Sequence, residues 1–158
     1  MATINDYTSG KVLKDVKLTL FSLKFVKIPI IGLLVKNELS KRIKNFEPKI
    51  IDIDTASKLI HESAACAVGE RVCRSLNKNS KLTESVFLDE LAEGMVKVGK
   101  AQFVEKEEAV TTLKKYPKYP LVLAKVSNKY MEICRSSPRD CVFYNMQKRK
   151  IKCLSKFK

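Results

Sequence analysis

The stretch YMEICRSSPRDCVFY, residues 130–144, predicts a β-hairpin. Its two ends are rich in aromatic and β-branched residues, which favour strands. The middle contains turn formers, which are Ser136, Ser137, Pro138 and Asp140. If a strand ending at Cys134 pairs with one that runs from Cys141 to Met146, the two thiols face each other with Cβ atoms about 4.5–5.5 Å apart. They could then share a metal ion, be oxidised together, or fill space in the sheet.

Length and composition indicate one globular unit. The chain has 158 residues, of which 45% are hydrophobic, and this is enough for one ordinary domain with its own core. It contains five cysteines, and no stretch has the charged start, apolar middle and cleavage site of a secretory signal. We therefore expect reduced thiols and a cytoplasmic location. The longest uncharged apolar run, Ile28 to Val35, has eight residues against the about 20 of a bilayer span, so no transmembrane segment is expected.

The positive charge is concentrated at the two ends of the chain. The net charge is +14, divided into +6 for residues 1–50, −3 for residues 51–110 and +11 for residues 111–158. An anionic partner, either a nucleic acid or an acidic membrane surface, would meet these basic termini. The alternative is a solubilising lysine-rich surface, since 25 of the 31 cations are lysines.

The first third of the chain predicts three segments. Residues 1–12 are polar and turn-rich, which favours a flexible N-terminal arm. Within 13–49, apolar residues alternate with polar ones up to Phe25, although Phe21 breaks the alternation, which indicates a strand or a short amphipathic segment. An amphipathic helix then begins near Pro29 and ends before Pro48. Its apolar stripe, backed by lysines, could pack on the core or lie on an anionic membrane.

Residues 50–158 predict an α+β domain that completes the same globular unit. A helix capped by Asp54 or Thr55 is expected to run to Leu76, with Cys66 and Cys73 on one face about 10 Å apart. Small residues around Cys66 suggest that a neighbouring element, in the core or in a dimer seam, comes unusually close. The remaining expectations are a loop at Asn77–Lys81, a helix from Thr83 to Val98, a strand at Ala101–Val104, a helix at Lys106–Lys115, a connector at Tyr116–Pro120, a strand at Leu121–Val126, a turn at Ser127–Lys129, and a surface tail or edge element from Gln147.

Several motifs lie between residues 50 and 146. They are a small-residue helix that contains Ala67-Val68-Gly69, a helix ending near Gly99, two strands, Glu132-Ile-Cys134, and Asp140-Cys141-Val-Phe143. Together they resemble the vinyl-reductase-type, or hydrocarbon-binding, domain. That family is related in fold to the vesicle-tethering subunits of the TRAPP complex and to haem nitric-oxide-binding domains. The resemblance implies an α+β fold with helices packed on a twisted antiparallel sheet. It also implies a homodimer that binds a small hydrophobic ligand or senses redox state.

The leading functional hypothesis is a non-enzymatic domain that binds a small molecule, or that senses metal or redox state through its cysteines. In a metal site, Cys134 and Cys141 would be two ligands and Cys153 the third, with His61 or Cys66 as the fourth. Zinc or an iron-sulfur cluster would accept these thiolates.

Two other classes of function stay open. The first is an enzyme that uses a thiolate or a bound metal or iron-sulfur cofactor, although the only histidine is His61 and the five glycines form no phosphate-binding loop. The second is a basic adaptor that binds nucleic acid or an anionic membrane surface through the charged termini.

Overall fold

The computed structural model describes residues 2–76 and 80–157, except for the side chains of residues 74 and 75. Over these residues the chain alternates helices and strands. The helices are α1 (Ile4–Thr8), α2 (Lys11–Ser22), α3 (Ile31–Ile43), α4 (Ile53–Glu62), α5 (Asp89–Lys97), α6 (Lys106–Lys114) and α7 (Val142–Lys148), with short 3₁₀ turns at Phe25–Lys27 and Val72–Leu76. The strands are β1 (Lys49–Ile51), β2 (Cys66–Glu70), β3 (Glu84–Leu88), β4 (Ala101–Phe103), β5 (Leu121–Val126), β6 (Lys129–Arg135) and β7 (Ser155–Lys156).

The strands form one sheet in the order β4-β2-β3-β6-β5-β1-β7. Neighbouring strands are antiparallel except at the edge, where β7 runs parallel to β1. At the centre, Ser85 of β3 pairs with Cys134 of β6, which in turn pairs with Val122 of β5. The predicted α+β class is confirmed. The short β7 also confirms that the C-terminal segment includes an edge element.

The β5–β6 hairpin is the local feature that the sequence predicts best. Ser127 and Asn128 connect the strands with φ values of 49° and 69°. Positive φ at both central residues is the signature of a type I′ turn, whose twist matches that of paired strands. The predicted strands and the tight turn between them are confirmed.

The second hairpin, predicted across Cys134 and Cys141, is wrong. Cys134 lies on β6, but Cys141 immediately precedes α7. The backbone N–H groups of Asp140 and Cys141 both donate to the carbonyl of Ser137, at 3.1 and 2.9 Å, and this turns the chain away from the sheet. The side chain of Asn145 then donates to the carbonyl of Cys141 at 3.0 Å, so the local bonds favour a helix over a returning strand.

The N-terminal residues are helical where an arm was expected. Thr3 and Asp6 form a reciprocal capping box at the start of α1. Tyr7 is buried, and the N–H of Ser127 donates to the carbonyl of Ala2 at 2.9 Å. Residues 2–12 are therefore anchored to the domain by packing and by hydrogen bonds.

Of the two interpretations of Val12 to Phe25, the strand is wrong, because the helix α2 occupies most of this segment. Val12 and Leu23 are buried, and Val16 packs against the core. Their spacing is that of one helix face, although the sequence also shows a two-residue alternation, which favours a strand. The amphipathic helix expected after Pro29 is confirmed as α3.

Two predicted long helices are wrong in length, because part of each predicted segment forms a strand. In the first the strand follows the helix, and in the second the strand precedes it. The first, α4, ends at Glu62, after which β2 carries Cys66, so Cys66 and Cys73 do not share a helix. Its cap is Asp52, whose side chain accepts from the N–H of Thr55 at 2.7 Å. The second, α5, starts only after β3, whose buried run of apolar residues suits a central strand.

The remaining elements follow the prediction closely. The strand β4, the helix α6 and the connector to β5 lie where they were expected, and α5 ends just before Gly99, whose φ is 70°. The predicted loop at Asn77–Lys81 falls mostly on residues 77–79, which lie outside the described residues. Among the described helices, none combines the length and apolar character needed to cross a bilayer.

The central strands present two faces. Val122, Ala124, Glu132 and Cys134 line an internal cavity together with side chains of α1, α2, α3 and α7. Leu123 and Ile133, at the alternating positions, therefore point to the opposite face and belong to the main core. A smaller core joins α2, α3 and α7 through Leu23, Leu39, Ile43, Val142, Met146 and Ile151.

Gly69 explains why small residues cluster around β2, and it provides a test of the sheet. A Cβ at this position would lie 2.6 Å from the Cβ of Ala101 on β4. We expect Gly69→Ala to lower the free energy of unfolding by about 1–3 kcal/mol, because overpacking costs this much. Urea denaturation would measure it, with the exposed Glu93→Ala on α5 as the control, expected within about 0.5 kcal/mol of wild type. A Gly69→Ala protein as stable as its parent would contradict the close approach of β4.

Candidate functional site: a cavity between the sheet and the helices

A cavity of about 270 Å³ lies between the sheet face of β5 and β6 and the helices α1, α2, α3 and α7. Most of its wall is apolar and includes Val12, Val16, Leu39, Ile43, Val122 and Met146. Buried polar side chains, among them Glu132 and Arg71, form another part of the lining, which we name the cavity floor. Ligand sites commonly combine an apolar wall with a few convergent polar groups, so this cavity is the candidate functional site.

Glu132 is the buried acid of the cavity floor. The hydroxyl of Tyr7 donates to its Oε2 at 2.6 Å, and the hydroxyl of Ser85 donates to its Oε1 at 3.4 Å. Burial raises the pKa of Glu132, while the two hydroxyl donors and the charge of Arg71 act in the opposite direction. Burial also raises the pKa of Tyr7 well above its ordinary value, and the neighbouring Glu132 raises it further.

Arg71 is the buried base of the same floor, with only 2% of its surface exposed. Its Nη1 donates to the carbonyl of Arg135. Its Nε and Nη2 are buried and have no hydrogen-bond partner among the described residues, and the Arg71 side chain borders the cavity. An unsatisfied guanidinium is expensive to bury, and nitrogens of this kind are suited to bind an acceptor that enters the cavity.

Three thiols complete the polar lining. They belong to Cys73 of the 3₁₀ turn, Cys134 of β6 and Cys141 before α7. The Sγ of Cys134 lies 3.2 Å from the hydroxyl of Ser136, which also bonds Cys141. Burial raises the pKa of all three thiols, to about 12 for Cys73. All three are free thiols, and at neutral pH they stay protonated.

The cavity reaches the protein surface between α2 and α3. Lys11 and Arg42 border it and are exposed, and the partly buried Asp15 borders it as well. Lys11 is paired with Asp6 at 3.0 Å. A molecule entering from solvent would therefore pass a charged rim before it meets the apolar wall.

The structure brings together only part of the predicted metal site. Cys134 and Cys141 border the same cavity, as the prediction required. Cys153 lies beside α7, where its thiol donates to the carbonyl of Phe143 at 3.2 Å. Cys66 lies on β2, which β3 separates from β6, and its thiol donates to the carbonyl of Val104 at 3.1 Å.

His61 lies at the end of α4, with about half of its side chain exposed, and its Nε2 is 3.4 Å from Glu107. In the described part of the chain, no three histidine, cysteine, aspartate or glutamate side chains are grouped so that they could hold a metal ion. A metal or iron-sulfur site therefore stays a prediction.

Three functional residues were missed from the sequence. Cys73 was assigned to a long helix, and Tyr7 to an arm with no expected contacts. Arg71 gave only a weak signal, since a single arginine directly after a strand is common. The best available signal was Glu132, an acid in the middle of an otherwise apolar strand, because such a group needs buried partners.

Comparison of the chain with protein-family models, with curated proteins and with solved structures found no match.

The buried carboxyl of Glu132 makes stability depend on pH. Its folded-state pKa is raised above the ordinary 4.5, so between these two values the folded protein holds a proton that the unfolded chain has lost. The stability contributed by this group is complete below pH 4.5 and is lost as pH rises through the folded-state pKa. Glu132→Gln does not titrate, so we expect its stability relative to wild type to increase over this range.

Urea unfolding at several values between about pH 4.5 and about pH 8 would measure the difference. Tyr7→Phe removes a hydrogen bond that lowers the pKa of Glu132, so its stability should continue to fall to higher pH than that of wild type. Parallel curves for all three proteins would contradict the burial of an ionisable group at this position.

The raised thiol pKa values predict slow alkylation at neutral pH. We expect the rates at Cys73, Cys134 and Cys141 to keep rising through pH 9, because the thiolate is the reactive form. Mass spectrometry of iodoacetamide-treated peptides would follow each site, with the urea-unfolded chain as the control for ordinary reactivity. A rate plateau near neutral pH at any of the three would contradict the prediction.

Proposed function

We propose that this protein binds a small, largely apolar molecule with an acidic head group in the cavity between its sheet and its helices. The observation that carries the proposal concerns Arg71. Its side chain is buried and borders the apolar cavity, and two of its guanidinium nitrogens have no hydrogen-bond partner in the described part of the chain. The sequence resemblance to a hydrocarbon-binding domain points to the same class of ligand.

The size and the wall of the cavity suit a medium-length hydrocarbon tail. At about 270 Å³ it is close to the lower limit of ordinary ligand pockets, which is about 300 Å³. Aliphatic side chains of α2, α3 and β5 form most of the wall. Each buried methylene of a ligand would contribute about 0.8 kcal/mol, so such a wall can supply affinity but little orientation.

Arg71 would supply the orientation. A guanidinium is charged at every accessible pH and can hold a carboxylate with two parallel hydrogen bonds. Its charge is buried without a bonded anion among the described residues, and an entering carboxylate would remove this penalty. Protonation of Glu132, favoured by its raised pKa, would remove the repulsion between the two carboxyl groups.

The state of the thiols favours binding over thiolate catalysis. A catalytic cysteine needs a lowered pKa, whereas burial raises the pKa of each cysteine that borders the cavity. Redox sensing, a bound metal and a homodimer remain predictions of the sequence. They are compatible with a ligand-binding cavity.

Decanoic acid and decanol separate the head group from the tail, since the two molecules share the same ten-carbon chain. By calorimetry at pH 7.5 we expect wild type to bind decanoate more tightly than decanol. Arg71→Gln should weaken decanoate binding by at least about tenfold, because hydrogen bonds to charged groups contribute about 1.5–3 kcal/mol. Its effect on decanol should be less than about twofold. The exposed Arg139→Gln is the matched control and should change neither affinity.

A second variant tests the cavity itself. Ala124→Leu places a larger side chain in the wall and should reduce the binding of both probes, while unfolding in urea stays cooperative. Ala64→Leu makes the same change at an exposed position and is the control. Undetectable binding of both probes to wild type, or equal binding by wild type and Ala124→Leu, would refute the proposed site.

A further inference from the structure

Residues 18–34 form an exposed apolar surface, which we name the α2–α3 surface. Of the ten large apolar side chains that are exposed in the described part of the chain, eight lie in this segment. Ile30 is 81% exposed, Leu33 63% and Leu34 65%. Single exposed apolar residues are common on protein surfaces, but a concentration of this kind marks an interaction site.

Ile30 has a strained backbone conformation, and its side chain is not packed in the fold. Its φ of 64° and ψ of −63° place it at the centre of a γ-turn, closed by the N–H of Ile31 and the carbonyl of Pro29 at 2.7 Å. A γ-turn with positive φ is strained, and a β-branched residue is especially unsuited to it. Glycine would relieve the strain and would lose little packing, because the isoleucine side chain is exposed.

The charges around the α2–α3 surface have one sign. No acidic residue occurs between Asp15 and Glu38, whereas four lysines do. Lys17, Lys24 and Lys27 are exposed, and the ammonium of Lys24 lies 5.8 Å from the centroid of the Phe21 ring. The segment therefore combines exposed apolar side chains with lysines and contains no acidic residue.

We propose that the α2–α3 surface docks the protein on an anionic lipid bilayer, with its apolar side chains inserted among the acyl chains and its lysines against the headgroups. Phenylalanine and leucine combined with lysine are typical of segments that bind in this way. A second copy of the chain would bring two sets of lysines together at the same interface. A nucleic acid would use the lysines but would leave the apolar residues without a role.

The helices α2 and α3 carry both the α2–α3 surface and the rim of the cavity, but at opposite ends. The rim residues Lys11 and Arg42 lie about 10 Å along their helices from Leu18 and Leu34. Docking does not depend on the ligand proposed above, and the two can fail separately.

Vesicle flotation tests the docking directly. The probes are phosphatidylcholine vesicles with and without about 30 mol% phosphatidylserine, at low and high salt. We expect wild type to float with the anionic vesicles at low salt and much less with the neutral ones. Leu33→Ser/Leu34→Ser should reduce the bound fraction by at least about fivefold. The matched control is Val98→Ser/Phe103→Ser, which changes exposed apolar residues outside the segment and should bind like wild type.

Charge reversal tests the contribution of the lysines in and beside the α2–α3 surface. Lys17→Glu/Lys27→Glu should abolish the preference for anionic vesicles, whereas Lys97→Glu/Lys118→Glu, at exposed positions elsewhere, should keep most of it. Ile30→Gly separates docking from folding, because it should raise the melting temperature and yet lower vesicle binding.

Several results would overturn the docking proposal. They are failure of wild type to float with anionic vesicles, wild-type flotation by Leu33→Ser/Leu34→Ser, and equal loss of binding in the matched controls. A dimer that Leu33→Ser/Leu34→Ser dissociates, seen by sedimentation without any vesicle binding, would assign the surface to self-association instead.

Discussion

The hydrogen bond between Tyr7 and Glu132 connects the helical side of the cavity to its sheet side. It joins α1 to the central strand β6 across 125 residues of sequence, with both groups buried. A carboxyl in the middle of a sheet would be costly without such a donor, and the hydroxyl of Tyr7 would be equally costly without an acceptor. Each group therefore makes the other tolerable, and together they fix α1 over the sheet. The helices that follow α1 then close the cavity from the side opposite β5 and β6.

This arrangement places opposite charges in one apolar space without joining them tightly. Arg71 influences the pKa of Glu132, but its own Nε and Nη2 are left without partners among the described residues. Protonation of Glu132 and the arrival of an anion at Arg71 would therefore favour each other, because a protonated carboxyl does not repel the anion and a bound anion raises the pKa of the carboxyl. If the cavity binds an anionic ligand as proposed, this one carboxyl group would make the binding depend on pH, and the protonated thiols around it would add polarity without adding charge.

The sequence predicts those parts of the fold that depend on local chemistry. Ser127 and Asn128 identify the β5–β6 turn because few residues accept positive φ, and the spacing of Leu39 and Ile43 identifies α3. The sequence does not predict the local structure correctly where contacts with residues distant in the chain determine it. The residues around Cys66 have a composition compatible with a helix, and they become a strand because β3 and β4 pair with them on both sides. Cys141 reads as a strand residue only until the bonds to Ser137 turn the chain. The site was found only in part for the same reason, since Tyr7 and Arg71 reach Glu132 through tertiary structure alone.

The helix α3 shows how one amphipathic pattern can serve two different environments. Its C-terminal half buries Leu39 and Ile43 in the smaller core, whereas its N-terminal half exposes Leu33 and Leu34. Gly32 allows this division, because a Cβ there would collide with the carbonyl of Val26, so only glycine lets the connection from α2 pack so closely against the start of α3. That close packing holds the apolar side chains of the connection and of α3 on one continuous segment. An apolar stripe in a sequence is usually assigned to a single core, but here the backbone divides it between the smaller core and the α2–α3 surface.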